Sequence, residues 1–179
     1  MATKTIPRWN EFLTAAKEGE KCEWVDAEVV LMTPVNFLHE IVLTNLAKSL
    51  GRYCDANPGW VWVLSNAVFT MSSGNWRCPD ASLVRRSRLP ADITSLTRVE
   101  FAPDVAFEIL SPSDTPSRVQ RKRQDYLGSC VIQVWIDPEK GLVELIEPDR
   151  PPRYVQGTQP LAITCLPGFE LIPQDLFKI

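Results

Sequence analysis

The 179-residue sequence lacks the features that mark secreted, disulfide-rich and membrane proteins. Its five cysteines are odd in number, widely spaced and without a CxxC pair, which argues against a disulfide framework or a zinc ribbon and indicates a reducing cytoplasm. No stretch approaches 18 apolar residues, and the N-terminus has no apolar core of signal-peptide length. We therefore expect a cytoplasmic protein without a membrane partner.

A strong excess of charge of either sign is also missing. The formal net charge is -3, so the surface as a whole does not attract a polyanion, and any contact with nucleic acid requires a local basic patch. We find no internal repeat, no low-complexity tract and no linker. With 45% hydrophobic residues, the chain is predicted to form a single domain over residues 1–179 with a sizeable core.

Hydrophobic periodicity predicts more strands than helices. Apolar residues at helical spacing predict a short helix around residues 9–16 and two longer helices at 36–53 and 117–127. Strands are predicted at 22–32 (two segments around a turn at 26–27), 60–64, 67–71, 80–84, 105–110, 131–136 and 142–146, with hairpins joining 60–64 to 67–71 and 131–136 to 142–146. Because the 117–127 helix lies between two apolar runs, we expect an α+β or mixed α/β fold, with a sheet flanked by helices.

The central predicted strand, residues 105–110, carries a carboxylate in its middle, Glu108. An ionised carboxylate moved out of water costs several kcal/mol unless it is paired, hydrogen-bonded or bound to a metal. Residues two apart in a strand share a face, so Glu108 and Asp104 point one way, while Val105, Phe107 and Ile109 form an apolar face for the core. The interpretation that we develop is that a cation compensates Glu108.

Asp104 and Glu108 lie roughly 13 Å apart along a regular strand, too far to hold one ion together. Asp80, which opens the preceding predicted strand, is the better partner for Glu108. Two carboxylates on adjacent strands approach within about 5 Å and can hold Mg²⁺, whose remaining positions are filled by water. Asp104 is therefore kept only as a residue at the edge of the site.

The helix at 117–127 supplies a third element. Val119, Lys122 and Tyr126 form one stripe of this helix, and a lysine between an aliphatic and an aromatic residue is unusual on an inward stripe. Its ammonium could orient an attacking water or stabilise charge that develops on a phosphate. Two acids, a cation and a lysine are the parts of metal-assisted phosphodiester hydrolysis.

Several of these segments resemble one known family. The dipeptide Pro79-Asp80, the segment PDVAFEILSPSD at 103–114, Lys122 with Tyr126 four residues on, and the segment VIQVWIDP at 131–138 are similar to the Uma-type endonuclease family of the PD-(D/E)XK, restriction-endonuclease-like superfamily. The resemblance continues on both sides of this block and covers nearly the whole chain. It implies a central mixed β-sheet flanked by helices.

The same resemblance implies a Mg²⁺-dependent endonuclease, with Mn²⁺ as a second candidate cation, and DNA as the substrate. It carries roles to Asp80 and Glu108 as metal ligands and to Lys122 as the catalytic lysine, and it suggests a homodimer. The superfamily usually has its lysine two residues after the second acid, where this sequence has Leu110. A lysine relocated to the following helix is known in the superfamily and agrees with the position of Lys122.

Each candidate residue also has a purely structural interpretation. Glu108 could pair with an arginine, Asp80 could be a turn former, and Lys122 could extend its ammonium to solvent over Tyr126. His39, the only histidine, and Tyr126 could line the edge of the site, although packing is the commoner role for a lone helical histidine.

The basic run at Arg118, Arg121, Lys122 and Arg123 could track a phosphate backbone or form a solvated helix face. The alternative function is a catalytically inactive nuclease-fold module that binds nucleic acid or a protein partner. Intact acids and an inward lysine favour the enzyme, because a binding module has no need to bury them.

Overall fold

Strands outnumber helices in the structure, a computed structural model that describes residues 12, 21–32, 34–65, 67–94, 96 and 98–179. The strands are β1 (Cys22–Val25), β2 (Glu28–Leu31), β3 (Trp60–Leu64), β4 (Phe69–Thr70), β5 (Trp76–Arg77), β6 (Ala81–Arg85), β7 (Val105–Ile109), β8 (Ile132–Asp137), β9 (Leu142–Ile146), β10 (Arg153–Gln156), β11 (Leu161–Ala162) and β12 (Glu170–Leu171). The helices are α1 (Phe37–Ala56), α2 (Pro116–Gly128) and α3 (Pro173–Leu176).

A six-stranded mixed sheet forms the centre of the fold, in the order β10-β9-β8-β7-β6-β3. β7 and β8 run parallel, while the other neighbours in this sheet run antiparallel. Parallel strands need a crossover connection, and α2 provides it between β7 and β8. The predicted mixed sheet flanked by helices is therefore confirmed, and so is the hairpin of β8 and β9.

The two faces of β7 bury different clusters, as the alternation predicts. Val105, Phe107 and Ile109 face a core to which α1 contributes Val42, Leu46 and Leu50. Ala106, on the opposite face, packs in a second cluster with Tyr126 of α2 and Trp135 of β8. Burying one such aliphatic or aromatic side chain contributes about 1.5–3 kcal/mol, so the two helices hold the sheet from both sides.

Side-chain caps set the starting points of α1 and α2. The Asn36 side chain accepts a hydrogen bond of 2.9 Å from the backbone N–H of His39, and the Thr115 hydroxyl accepts one of 3.4 Å from that of Arg118. Pro116 occupies the first turn of α2, where its missing N–H costs nothing. The two caps fix the beginnings of both helices, and these ends flank the cleft described below.

A smaller four-stranded sheet, in the order β2-β1-β5-β4, lies beside the main sheet. β1 and β2 form the predicted antiparallel pair, and the turn residues Asp26 and Ala27 have φ of 50° and 68°. Phe12 packs its ring 5.2 Å from that of Trp76 in β5, edge to face. Apart from Phe12, the helix predicted around residues 9–16 lies outside the described residues.

The predicted hairpin between residues 60–64 and 67–71 is wrong. β3 pairs with β6 in the register Trp62↔Leu83, whereas β4 pairs with β5 in the smaller sheet. The chain leaves the main sheet at Ser65, whose backbone N–H donates to the Asp80 carbonyl. An alternating pattern identifies strands but not their partners, and β6 offers five facing residues where β4 offers two.

The C-terminal segment closes one edge of the main sheet, because β10 pairs with β9 as the outermost strand. The opposite edge is β3. Within the part of the chain that the structure describes, no helix is both long and apolar enough to cross a bilayer.

Candidate active site

A cleft of about 630 Å³ opens beside the starts of α1 and α2. Apolar residues of the β2 region, among them Val30 and Leu31, line one wall. The loop after β7 and the first turns of α2 line another, with Arg118 at the latter. Asp80 and Glu108 are both 6% exposed and both line the cleft, so they are well buried yet within its reach.

Asp80 immediately precedes β6, and the register Ala81↔Phe107 brings it level with Glu108 of β7. One carboxylate oxygen, Oδ2, accepts a hydrogen bond of 2.9 Å from the Ile109 backbone N–H and lies 3.2 Å from His39 Nε2. The other oxygen, Oδ1, accepts a hydrogen bond of 2.8 Å from the Lys21 ammonium. Burial would raise the pKa of Asp80, but the hydrogen bond of His39 and the charge of Lys21 outweigh it and lower this pKa, so the carboxylate stays ionised.

Glu108 projects from the middle of β7 towards α2, which supplies both of its hydrogen-bond donors. Lys122 Nζ lies 2.9 Å from Oε2, and the Tyr126 hydroxyl donates to Oε1. Burial raises the pKa of Glu108 to about 7, opposed by Lys122 and reinforced by Asp80 and Glu23. The structural alternative of a Glu108–arginine pair is therefore replaced by a pair with the predicted lysine.

Lys122 is the inward lysine of α2, as its stripe predicts. Besides Glu108, its ammonium approaches Glu23 Oε1 of β1 at 3.1 Å. Burial would lower the pKa of Lys122, but the two carboxylates outweigh it and raise this pKa. Lys122 therefore remains a cation at neutral pH and does not extend to solvent over Tyr126.

An ion network continues from Glu23 through Arg77, both of which line the cleft, to Asp125 outside it. Arg77 Nη1 donates a hydrogen bond of 2.8 Å to Glu23 Oε2, and Arg77 Nε donates another of 2.8 Å to Asp125 of α2. The Asn75 side-chain amide also donates to Asp125, at 3.0 Å for the shorter of its two contacts, and the Ser73 hydroxyl donates to it at 2.7 Å. The network ties β1 and β5 of the smaller sheet to α2, and it holds Lys122 over the main sheet.

His39 and Tyr126, the two aromatic candidates for the edge of the site, both contact its carboxylates. His39 lies in the first turn of α1. Burial would lower the pKa of its imidazole, but the hydrogen bond to Asp80 and the negative charge of Asp80 outweigh burial and raise this pKa. His39 Nδ1 is buried, lies 3.5 Å from Glu40 Oε1 and has no hydrogen bond within the described residues. His39 therefore lines the cleft and contacts Asp80 there.

Asp104 is not brought to the site. It lies at the opposite end of β7. There its carboxylate accepts a hydrogen bond of 2.9 Å from the Arg85 backbone N–H and forms an ion pair of 2.9 Å with Arg88 Nη1. Regular strand geometry separates it from Glu108, as the spacing indicates, and two arginines satisfy it there. The placement of Asp104 at the edge of the site is corrected accordingly.

The basic run of α2 divides between two environments. Arg118 and Arg121 line the cleft, where Arg121 pairs with Asp26 of the β1–β2 turn. Arg123 faces elsewhere, pairing with Glu144 and lying 4.9 Å over the Trp135 ring. Only part of the run is therefore placed to meet a phosphate backbone.

Sequence reasoning missed Lys21, Glu23, Arg77 and Asp125. Glu23 carried the same signal as Glu108, a carboxylate inside a short apolar strand, CEWV. Asp125 sits one residue before Tyr126 and is buried, although helical spacing alone gave it no distinction. Lys21 and Arg77 had no such signal, because their partners are 59 and 48 residues away in sequence.

Asp80 and Glu108 fit a hard divalent cation, which one or two carboxylates commonly bind while several waters remain. In the described ranges, no three or more His, Cys, Asp or Glu side chains surround one point, so water and substrate would fill most of the coordination sphere. The electrostatics of the cleft also fit a cation. Burial, together with the negative charges of Asp80 and Glu23, raises the pKa of the Glu108 carboxyl. A cation at this place would offset that negative charge.

Comparisons with known proteins agree with this architecture. The crystal structure of a putative nuclease belonging to DUF820 from Anabaena variabilis ATCC 29413 matches with a TM-score of 0.82 and 18% sequence identity, over 94% of this chain and 96% of that chain. At this identity the likeness shows the fold. A comparison with curated proteins gave no significant match. The family model described as "Uma2: Putative restriction endonuclease" matches residues 9–174, and the chain belongs to this family.

Proposed function

We propose that this protein is a divalent-cation-dependent endonuclease that hydrolyses phosphodiester bonds in DNA. The observation that carries the proposal is the placement of Asp80 and Glu108 level with each other on the floor of one cleft, with Lys122 bonded to Glu108. Membership of a family described as a restriction endonuclease family supports the nuclease class. Cation dependence and the DNA substrate rest on the chemistry of the cleft.

In this mechanism, Asp80 and Glu108 would hold Mg²⁺ or Mn²⁺. When bound, the cation would supply a water of lowered pKa and a positive charge beside the reacting phosphate. His39 and the Ile109 N–H orient the Asp80 carboxylate, and Tyr126 orients that of Glu108. Each ligand is thereby held before substrate arrives.

Lys122 contributes a fixed positive charge rather than a base. Because Glu108 and Glu23 raise its pKa, it stays protonated at neutral pH and can stabilise negative charge on the reacting phosphate. Arg118 and Arg121, which line the cleft, would contact the neighbouring phosphates of the strand.

A non-catalytic module with the same fold is the alternative. It would have to keep Glu23, Glu108 and Lys122 buried at a desolvation cost of several kcal/mol without using them. Such a cluster could serve stability alone if every charge were satisfied, so activity and cation binding decide between the two functions. Arg118, which lines the cleft, would then serve only for binding.

The test is cleavage of supercoiled plasmid, single-stranded DNA and single-stranded RNA by purified protein, with Mg²⁺, Mn²⁺ or a chelator. We expect DNA cleavage only with a cation, and a loss of at least about 100-fold in Asp80→Asn and Glu108→Gln. Asp104→Asn is the matched control, because Asp104 is an acid that immediately precedes the strand of Glu108 and lies outside the cleft, and this variant should keep its activity. Absence of cleavage on every substrate, together with absence of cation binding, would favour the module.

We also propose a homodimer and a cytoplasmic location. The surface that supports a dimer is β3, an edge strand of sequence WVWVL that carries no charge, no proline and only one described strand neighbour, β6. A groove beside it is lined by Trp62 and Leu64 and by two acids and two bases of α1, Glu40, Asp55, Lys48 and Arg52. A neutral patch with both signs of charge is compatible with the self-complementary contact of a two-fold dimer.

A further inference from the structure

Asp80 and Glu108, the two proposed cation ligands, each pair with a different lysine, and the surroundings of these two lysines differ. Lys122 Nζ lies 2.9 Å from Glu108 and 3.1 Å from Glu23, and its side chain is 10% exposed. Lys21 Nζ lies 2.8 Å from Asp80 Oδ1, and its side chain is 21% exposed. The mechanism above uses Lys122 and leaves Lys21 without a role.

Lys122 is held in place on two sides. Moving its ammonium would strand two buried carboxylates at once, which is strongly unfavourable. Lys21 makes its described ion pair with one carboxylate, and its ammonium can return to water along a flexible four-carbon stem. Of the two, Lys21 is the lysine that can exchange its partner.

The two oxygens of Asp80 are also unequal. Oδ2 is occupied by the Ile109 N–H at 2.9 Å and by His39 at 3.2 Å, both fixed by β7 and α1. Oδ1 carries the Lys21 contact, and Lys21 lines the cleft. Oδ1 is therefore the oxygen that Asp80 can offer to a cation, and it is the one that Lys21 uses.

We propose that Lys21 is a second functional lysine, which competes with the divalent cation for Asp80 Oδ1 and contacts a substrate phosphate oxygen once it is displaced. Two positive centres on one carboxylate oxygen repel each other, so a cation at Oδ1 weakens the Lys21–Asp80 contact, and that contact in turn weakens cation binding. The released ammonium stays at the wall of the cleft, within reach of an anion there. This inference rests on the proposed function.

We expect the replacement of Lys21 to change Mn²⁺ affinity and the cleavage rate in opposite directions. Replacing a lysine with only a structural role would not have this pair of effects. Lys21→Met removes the competitor, so we expect Mn²⁺ to bind at least about 3-fold tighter, by calorimetric titration of the protein alone. The same variant loses the phosphate contact, so single-turnover cleavage at saturating Mn²⁺ should be at least about 10-fold slower. Lys21→Arg, which keeps the charge, should recover most of the wild-type value of each.

Lys140→Met is the matched control, because Lys140 is also a lysine paired with one aspartate, Asp137, but lies in the β8–β9 turn and outside the cleft. It should leave Mn²⁺ affinity and cleavage unchanged. Circular dichroism of each variant in chelator verifies that it folds, and Lys21→Gln replaces Lys21→Met if the latter does not.

Unchanged or weaker Mn²⁺ binding by Lys21→Met would overturn the competition. Tighter binding with unchanged cleavage would overturn the phosphate contact. If wild type binds Mn²⁺ but cleaves no substrate, the proposed function fails, while tighter Mn²⁺ binding by Lys21→Met still supports the competition for Asp80. The cation measurement thus separates the failure of one proposal from the failure of the other.

Discussion

The Lys122 ammonium of α2 lies 2.9 Å from the Glu108 carboxylate of β7, across 14 residues of sequence. The contact joins the crossover helix to the strand it has just left, so the same connection that makes β7 and β8 parallel also places the lysine over the acid. Position 110 is Leu110, and the lysine beside Glu108 comes from the helix instead.

Replacing Lys122 by Met should destabilise the fold and abolish cleavage. The change leaves Glu108 and Glu23 as buried carboxylates without their shared cation, and breaking a buried pair in this way costs about 3–5 kcal/mol. Urea unfolding in chelator measures the loss in the free energy of unfolding. Adding Glu108→Gln to Lys122→Met should restore part of this stability but none of the activity, and full additivity of the two changes would contradict direct coupling.

Replacing Asp125 by Asn should separate stability from function. Asp125 holds Arg77 and lies outside the cleft, so its variant weakens the network that supports Glu23 without touching Asp80 or Glu108, the two proposed cation ligands. We expect a loss of about 3 kcal/mol in the free energy of unfolding, with Mn²⁺ affinity within about 2-fold of wild type. Gln124→Ala, an exposed neighbour on the same helix, is the control and should change neither. A large loss of Mn²⁺ affinity in the Asp125 variant would show that the network shapes the cation site.

The raised pKa of Glu108 predicts a pH dependence of stability. Burial moves this pKa from its usual 4.5 to about 7, so the folded state binds the proton more tightly than the unfolded state does. The stabilisation from protonated Glu108 is complete below about pH 4.5 and is lost as the pH rises through about 7. Glu108→Gln cannot ionise, so its stability relative to wild type should rise between pH 5 and pH 8, by at most about 1.4 kcal/mol per pH unit.

Urea unfolding of both proteins in chelator at pH 5, 6, 7 and 8 measures this difference. Gln124→Ala, which introduces no titratable group, should track wild type across the series. A difference between Glu108→Gln and wild type that stays constant with pH would mean that Glu108 titrates alike in the folded and unfolded states.

The face of β7 and the stripe of α2 could be predicted because both are local patterns. Alternation assigned Glu108 to the non-core face, and the i, i+3, i+7 spacing placed Lys122 and Tyr126 on the side that meets it. Asp104 belonged to the same face, but strand geometry alone could not show that Arg88 satisfies it at the other end. Local periodicity gives direction, while the partner depends on the tertiary fold.

What the sequence could not show are the long-range partners. β3 alternates as a hairpin strand would, yet its partner is β6, because pairing is decided by which strands the whole sheet brings together. Lys21 meets Asp80 only because the smaller sheet packs beside the main one. Glu23 is the exception, since a carboxylate inside a buried strand is visible in sequence and the rule applied to Glu108 covers it equally.

The edge strand β3 should carry the dimer contact, and the two edges of one sheet allow a controlled test. A lysine on an apolar edge strand blocks edge-to-edge pairing, so Leu64→Lys should convert a dimer to a monomer in analytical ultracentrifugation. Tyr154→Lys makes the same kind of change at the opposite edge, on β10, where the side chain is also exposed, and it should stay dimeric. A wild type that is monomeric at tens of micromolar, or a dimer lost only in Tyr154→Lys, would contradict a dimer contact through β3.

The Leu64→Lys variant also tests whether the dimer matters for cleavage. Because β3 ends one residue before Ser65, which lines the cleft, loss of the dimer together with lower cleavage would link strand pairing to the site.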